Sequence, residues 1–177
     1  NNKIETIQLE INNFSTLPDF TLFPKLKEAF LNDNYLTFED LKPLENIPNY
    51  TVLFPISSQK KIKEGKNYSL KLNDEFYFET NTDKNVQGVL YTSYANGVKI
   101  NESNSGSTKV NTTSESFSGY YAYEMRYSGF PNLILKTDSS FIEITPCFTV
   151  NQFIIEVSPR ICIQNSGVIK VSSESSL

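Results

Sequence analysis

The chain has 177 residues, 38% of them hydrophobic and 13% aromatic, so it can bury a real core in one large or two small domains. Its 16 basic and 20 acidic residues give a formal charge of −4 without long blocks of one sign, which excludes a basic face for nucleic acid. Histidine is absent, so the usual proton shuttle and the commonest metal ligand are both missing. We therefore expect no enzymatic activity, no cofactor and no metal site. No run approaches the roughly 18 apolar residues of a membrane span, so we expect no membrane insertion by this segment.

A repeated apolar pattern occupies the first part of the chain. The template L-x-x-L-x-L-x-x-N-x-L fits two sets of residues: Ile4, Ile7, Leu9, Asn12 and Phe14, and then Leu26, Ala29, Leu31, Asn34 and Leu36. Each member of the second set follows its counterpart by 22 residues, a spacing typical of a leucine-rich repeat, whose short strand turns at the asparagine. Two repeats are too few for a stable solenoid, so we expect further repeats before Asn1.

A short helical cap is predicted after the second repeat. Thr37 can cap a helical turn in which Asp40 lies three residues later. The apolar residues predicted to face inward are Phe38, Leu41 and Leu44. We assign residues 1–48 to the repeats and their cap, and residues 49–62 to a linker.

Residues 63–146 have the pattern of an antiparallel β-sandwich. Short segments rich in β-branched and aromatic residues, such as GVLYTSY and GYYAYEMRY, alternate with polar turns. Asn96-Gly97 is the clearest turn signal, because both positions of a type I′ turn need positive φ. The predicted fold class is mainly β: the C-terminal end of a leucine-rich-repeat solenoid followed by an immunoglobulin-like β-sandwich.

The stretch NDNYLTFEDLKPLENIP, followed by YTVLFPISSQKKI, resembles bacterial secreted or cell-surface leucine-rich-repeat proteins with a following immunoglobulin-like domain. The resemblance implies that Asn12 and Asn34 form a ladder of side-chain amides between successive turns of the solenoid. It also implies that Tyr121 is a tyrosine corner and that Tyr123 stands where a cysteine often does. The usual disulfide partners and core tryptophan are absent, which leaves the strand topology open.

The tyrosines could form a ligand-binding patch or pack in the core; they are Tyr91, Tyr94, Tyr120, Tyr121, Tyr123 and Tyr127. Strand alternation places Tyr121, Tyr123 and Tyr127 on one face and Tyr120 on the other, which favours core packing. No nucleophile or phosphate-binding motif is present. The nearest cluster of carboxylates, Asp74, Glu75 and Glu79, is interpreted as solvated turn residues.

The last segment, residues 147–177, is predicted to contain additional strands or the start of a further module. It carries both cysteines, Cys147 and Cys162. A disulfide between them and a pair of free thiols remain alternative interpretations.

These features predict a non-catalytic binding, adhesion or spacer module of a larger secreted or surface-exposed bacterial protein. Its partner would be a protein or glycan ligand, or neighbouring subunits of a surface assembly. The predicted contact residues flank the inward apolar positions of the repeats: Glu5, Gln8, Glu10, Lys27, Glu28 and Phe30. The alternatives are the non-catalytic front or stalk of a large secreted enzyme or toxin, and a substrate or subunit captured in a secretion or surface assembly.

Overall fold

The computed structural model describes residues 3–146, which are mainly β. The strands are β1 Thr6–Gln8, β2 Glu28–Phe30, β3 Asn67–Lys71, β4 Tyr77–Glu79, β5 Leu90–Ala95, β6 Val98–Ser103, β7 Ser107–Lys109, β8 Gly119–Arg126, β9 Ile134–Lys136 and β10 Ser140–Thr145. Two short α-helices, α1 Phe38–Leu41 and α2 Tyr50–Leu53, and three 3-10 turns, Phe20–Leu22, Lys42–Asn46 and Glu115–Phe117, complete the elements. The predictions for residues 147–177, including both cysteines, lie outside the described residues.

The N-terminal strands form a small parallel sheet. The pairs are Thr6 with Glu28, Ile7 with Ala29, and Gln8 with Phe30. Partners in each pair differ by 22 in number, which is the displacement between the two copies of the sequence pattern. Ala29 has no exposed surface, whereas Ile7 is half-buried, so the second copy is the better covered of the two.

Helix α1 begins with the predicted capping interaction, which is confirmed. The Thr37 hydroxyl accepts from the Asp40 amide at 3.4 Å, and the Asp40 carboxylate accepts from the Thr37 amide at 2.8 Å. These bonds satisfy main-chain donors that a helix start leaves without partners. The inward side chains are buried as predicted: Phe38, Leu41 and Leu44.

Residues 63–146 form two facing sheets. The larger has the order β3-β10-β8-β5-β6, with β9 pairing β8 beyond β10. The β3–β10 pair is parallel and the other pairs are antiparallel. The smaller sheet is the antiparallel pair β4–β7, and its Phe78 packs on the β8 side chains Tyr121 and Tyr123. The arrangement is a β-sandwich.

The hairpin predicted at Asn96-Gly97 is confirmed. These residues join the antiparallel strands β5 and β6, and both have positive φ, 50° for Asn96 and 78° for Gly97. Because their turn matches the twist of the flanking strands, the register of β6 on the sheet is set locally.

The N-terminal part consists of two strand-and-loop segments: the first coil is β1 with the residues up to β2, and the second coil is β2 with the residues up to α1. One hydrophobic core extends from these two coils into the sandwich. The Phe38 ring lies 5.6 Å from that of Tyr127, and the Tyr50 ring meets Phe130 edge-on at 5.5 Å. The Tyr50 hydroxyl also donates to the carbonyl of Gly129 at 2.7 Å. Aromatic contacts and a hydrogen bond therefore join the two parts directly.

Candidate partner-binding surface

The outer face of the β1–β2 sheet carries three of the six predicted contact residues. Side chains alternate along a strand, so Gln8, Glu28 and Phe30 lie opposite the inward Ile7 and Ala29. Gln8 is exposed, while Glu28 and Phe30 are half-buried. The sheet therefore presents an aromatic ring beside a carboxylate and an amide.

The other three predicted residues flank this sheet. Lys27 donates to the Glu5 carboxylate at 2.7 Å, and this ion pair links the two coils just before their strands. Both side chains are largely exposed, so the pair contributes little to stability. Glu10 is exposed two residues beyond β1. With three carboxylates and one ammonium group, the six residues are acidic as a set.

The two pattern asparagines follow β1 and β2 at equivalent positions but differ in surroundings. Asn34 is fully buried: its Oδ1 accepts from the Phe14 amide at 3.1 Å, and its Nδ2 donates to the Leu9 carbonyl at 2.7 Å. Asn12 is exposed, and its Nδ2 donates to the carbonyl of Glu10, two residues earlier. Asn34 thus connects the second coil to the first.

Gln59 makes the same pair of contacts one coil later. Its Oε1 accepts from the Leu36 amide at 3.2 Å, and its Nε2 donates to the Leu31 carbonyl at 2.9 Å. Leu36 and Leu31 follow the two partners of Asn34 by 22 residues. A glutamine in the predicted linker therefore repeats the contacts of a pattern asparagine, and sequence reasoning missed it.

The main chain around Gln59 also runs beside the second coil. The Asp33 amide donates to the Ser58 carbonyl at 3.1 Å, and the Lys60 amide donates to the Asn34 carbonyl at 2.6 Å. The Asn32 Oδ1 accepts from the Ser57 amide at 2.8 Å. Residues 54–60 therefore form a third row beside residues 31–36, which directly follow β2.

The third row also contributes to the core. Phe54 and Ile56 are buried, with 2% and 5% of their surface exposed, whereas the intervening Pro55 and Ser57 are exposed. This alternation places Phe54 and Ile56 inward and leaves Pro55 and Ser57 at the surface.

The six tyrosines separate by burial. Tyr91, Tyr121 and Tyr123 are buried, Tyr94 and Tyr127 are half-buried, and Tyr120 is 61% exposed, which agrees with core packing for most of them. The Tyr121 hydroxyl donates to the Phe117 carbonyl at 2.8 Å, four residues upstream. Tyr120 lies on the outer face of the larger sheet, 5.1 Å from Phe141 between ring centroids.

Tyr123 is the centre of the contact between the two sheets. Its ring stacks on Phe78, with centroids 5.1 Å apart and planes 8° from parallel, and Tyr91 meets it edge-on at 6.4 Å. Its hydroxyl donates to the Phe78 carbonyl at 2.7 Å and lies 3.2 Å from the Thr108 hydroxyl. Burial, which disfavours the phenolate, raises the pKa of Tyr123 to about 12.

The carboxylates of the β4 region are paired with neighbouring groups. Asp74 accepts from the Lys71 amide at 2.8 Å, Glu75 lies 3.3 Å from the Lys109 ammonium, and Glu79 accepts from the Ser107 hydroxyl at 3.1 Å. Asp74 and Glu75 line an open polar depression of about 640 Å³. Among residues 3–146, no group of three or more His, Cys, Asp or Glu side chains could hold a metal ion. In the same range, no helix combines the length and apolarity needed to cross a membrane.

Comparison with known proteins assigns no family. No family model and no curated protein matches the chain. The second Ig-C2 domain of human Fc-receptor like A is 17% identical, with a TM-score of 0.37, over 44% of this chain and 85% of its own. Extracellular domains 3–5 of Drosophila OTK are 8% identical, with a TM-score of 0.37, over 45% of this chain but only 33% of theirs. Titin domain M7 is 13% identical, with a TM-score of 0.34, over 45% of this chain and 86% of its own. Similarity at these values assigns no function.

Proposed function

We propose that this chain is a non-catalytic binding module of a secreted or surface-exposed bacterial protein, in which leucine-rich coils present a partner surface and an immunoglobulin-like sandwich supports it. The observation that carries the proposal is the parallel β1–β2 pair, whose outer face carries Gln8, Glu28 and Phe30, together with residues 54–60, which are hydrogen-bonded to the segment directly after β2. An exposed face built on stacked strands offers rigid contact area, because its side chains are already held in place.

Contacts equivalent to those of an immunoglobulin core support the sandwich assignment. In that fold, a disulfide joins the two sheets, a tryptophan packs against it, and a tyrosine two residues before the second cysteine bonds upstream backbone. Here the Phe78–Tyr123 stack joins the sheets, Tyr91 packs on Tyr123, and Tyr121 bonds the Phe117 carbonyl. On this proposal, aromatic contacts take the role of the missing disulfide and tryptophan.

The side-chain ladder supports the assignment of the coils. Asn34 bonds the Phe14 amide and the Leu9 carbonyl of the first coil, and Gln59 bonds the Leu36 amide and the Leu31 carbonyl, which lie 22 residues later. We therefore extend the coil region from the predicted boundary at residue 48 to about residue 61. The sandwich begins at Ile62, whose amide donates to the Lys136 carbonyl at 2.8 Å.

The chemistry of the surface points to a basic partner. Lys27 is ion-paired with Glu5, whereas neither Glu10 nor Glu28 has an ion-pair partner among residues 3–146. A partner that places an apolar side chain on Phe30 and a lysine or arginine beside these carboxylates would match it. A protein partner fits this description better than a neutral glycan does.

A paired-variant binding experiment tests the proposal. The purified full chain is screened against arrays of surface proteins and glycans, alongside the double variant Phe30→Ser, Glu28→Lys. The matched control is Tyr120→Ser, Glu143→Lys, which removes an exposed aromatic ring and reverses an exposed carboxylate on the outer face of the sandwich.

We expect the first double variant to lose the strongest protein signal and the control to retain it. The proposed surface is refuted if both variants bind as the unmodified chain does. A signal confined to neutral glycans would contradict the choice of a basic protein partner.

A further inference from the structure

The junction between the coils and the sandwich contains a buried acid. Asp83 lies in the loop between β4 and β5 and is only 2% exposed. Its Oδ1 accepts from the amide of Glu39, in the first turn of α1, at 2.7 Å. The Glu39 carboxylate in turn lies 3.5 Å from the side-chain amide of Asn85, in the same loop as Asp83. This loop is therefore hydrogen-bonded to the cap helix at two places.

The second oxygen of this acid has no hydrogen-bond partner in the described part of the chain. Asp83 Oδ2 is buried and has no hydrogen-bond partner within residues 3–146. A buried carboxylate that lacks compensating bonds is strongly disfavoured, whereas its neutral acid form costs far less. The loop is held in place independently, because the Tyr91 hydroxyl donates to the Thr82 carbonyl at 3.0 Å.

The surrounding charges add to this penalty. Burial raises the pKa of Asp83, and the Asp40 carboxylate of α1 raises it further, whereas the Glu39 hydrogen bond and the nearby Phe38 amide and Thr37 hydroxyl act in the opposite direction. Beneath the loop, burial raises the pKa of the Tyr91 phenol, and the nearby Asp83 and Glu64 carboxylates add to the rise. The adjacent Lys84 is directed to Glu79, at 3.7 Å.

We propose that Asp83 is a proton-controlled latch between the cap helix α1 and the sandwich, closed when its carboxyl is protonated and loosened when it ionises. The protonated carboxyl still offers an oxygen to the Glu39 amide, so it holds the joint without burying a charge. Ionisation leaves a negative charge beside Asp40, and only entering water can solvate its second oxygen, Oδ2. The angle between the partner surface and the sandwich is then less firmly held at neutral than at acidic pH.

The direction of the effect follows from linkage. Because the folded form holds the Asp83 proton more tightly than the unfolded chain does, the stabilisation is complete below the ordinary aspartate pKa. It declines as the pH rises through the raised value and is constant above it. Each unit by which the pKa is raised corresponds to about a tenfold change in the opening equilibrium of the joint.

Amide NMR of the full chain tests the latch. The ¹⁵N and ¹H shifts of Glu39 are followed from pH 3 to 8, and urea midpoints are measured over the same range. We expect the Glu39 amide to titrate with a midpoint above the ordinary aspartate value, and the urea midpoint to fall through that window. In Asp83→Asn, an isosteric neutral variant, both changes should vanish. Asp40→Asn should lower the midpoint of the Asp83 titration observed at the Glu39 amide, because it removes a like charge near Asp83.

Asp19→Asn is the matched control. Asp19 is an exposed aspartate that caps the turn Phe20–Leu22, outside the joint between α1 and the Asp83 loop. Its replacement should leave the titration observed at the Glu39 amide unchanged. The proposal is overturned if the Glu39 amide does not titrate above the ordinary value, or if it titrates equally in Asp83→Asn.

Discussion

Replacing Gln59 by alanine tests whether the third row stabilises the coils. The substitution removes three hydrogen bonds: two accepted from the amides of Asn34 and Leu36, at 3.2 Å each, and one donated to the Leu31 carbonyl at 2.9 Å. A hydrogen bond contributes about 1 kcal/mol net, so the upper limit is about 3 kcal/mol. Gln59 is half-buried, and water can reach part of the site, so we expect the free energy of unfolding to fall by about 2 kcal/mol.

Urea unfolding at 25 °C, followed by far-ultraviolet circular dichroism, measures this difference. Gln59→Glu separates the contributions, because a carboxylate still accepts from both amides but cannot donate to the Leu31 carbonyl. Its loss should be smaller than that of Gln59→Ala. Gln87→Ala, at an exposed glutamine of the sandwich, is the matched control and should change stability by less than about 0.5 kcal/mol.

An equal, small effect of Gln59→Ala and Gln87→Ala would refute this reasoning. It would mean that solvent replaces the Gln59 bonds at no cost and that residues 54–60 only lie beside the second coil. An intermediate loss for Gln59→Glu would instead show that the amide donor is needed.

Three further predictions follow from burial and hydrogen bonding. Asn34→Ala should lower the free energy of unfolding by about 2–3 kcal/mol, because it leaves buried main-chain groups unpaired. Replacing the exposed Asn12 by alanine should lower it by less than about 0.5 kcal/mol, and urea unfolding of the two variants compares these losses. Tyr123→Phe should cost about 1–2 kcal/mol in the same assay, because it keeps the stack on Phe78 but removes its hydroxyl bonds, and an unchanged midpoint would contradict this role. In an absorbance titration at 295 nm, Tyr91 and Tyr123 should ionise near pH 12. Because the unfolded chain loses these protons nearer pH 10, the free energy of unfolding should fall between about pH 10 and pH 12. Ionisation of all tyrosines near pH 10 in the folded chain would refute the burial argument.

Features fixed by neighbouring residues could be predicted from the sequence. The capping of α1 depends on Thr37 and Asp40, three residues apart, and the β5–β6 hairpin depends on the adjacent Asn96 and Gly97. In both places the side chain or the allowed φ determines the local backbone without help from the rest of the fold.

Features that depend on contacts between distant residues were missed. Gln59 follows Asn34 by 25 residues instead of 22, and a glutamine, one methylene longer, stands in place of an asparagine, so the sequence pattern does not reveal it. Phe78 meets Tyr123 only because two sheets face each other. Asp83 lies in a polar stretch that is indistinguishable from a solvated turn until α1 is packed over it.

Because the Phe78–Tyr123 stack joins the two sheets where an immunoglobulin domain has a disulfide, residues 3–146 need no oxidant to form that link. The link between the sheets consists of ring contacts and hydroxyl hydrogen bonds, and residues 3–146 include no cysteine. Thioredoxin or glutathione therefore has no bond to attack there, and the two sheets can assemble equally well in a reducing or an oxidising compartment.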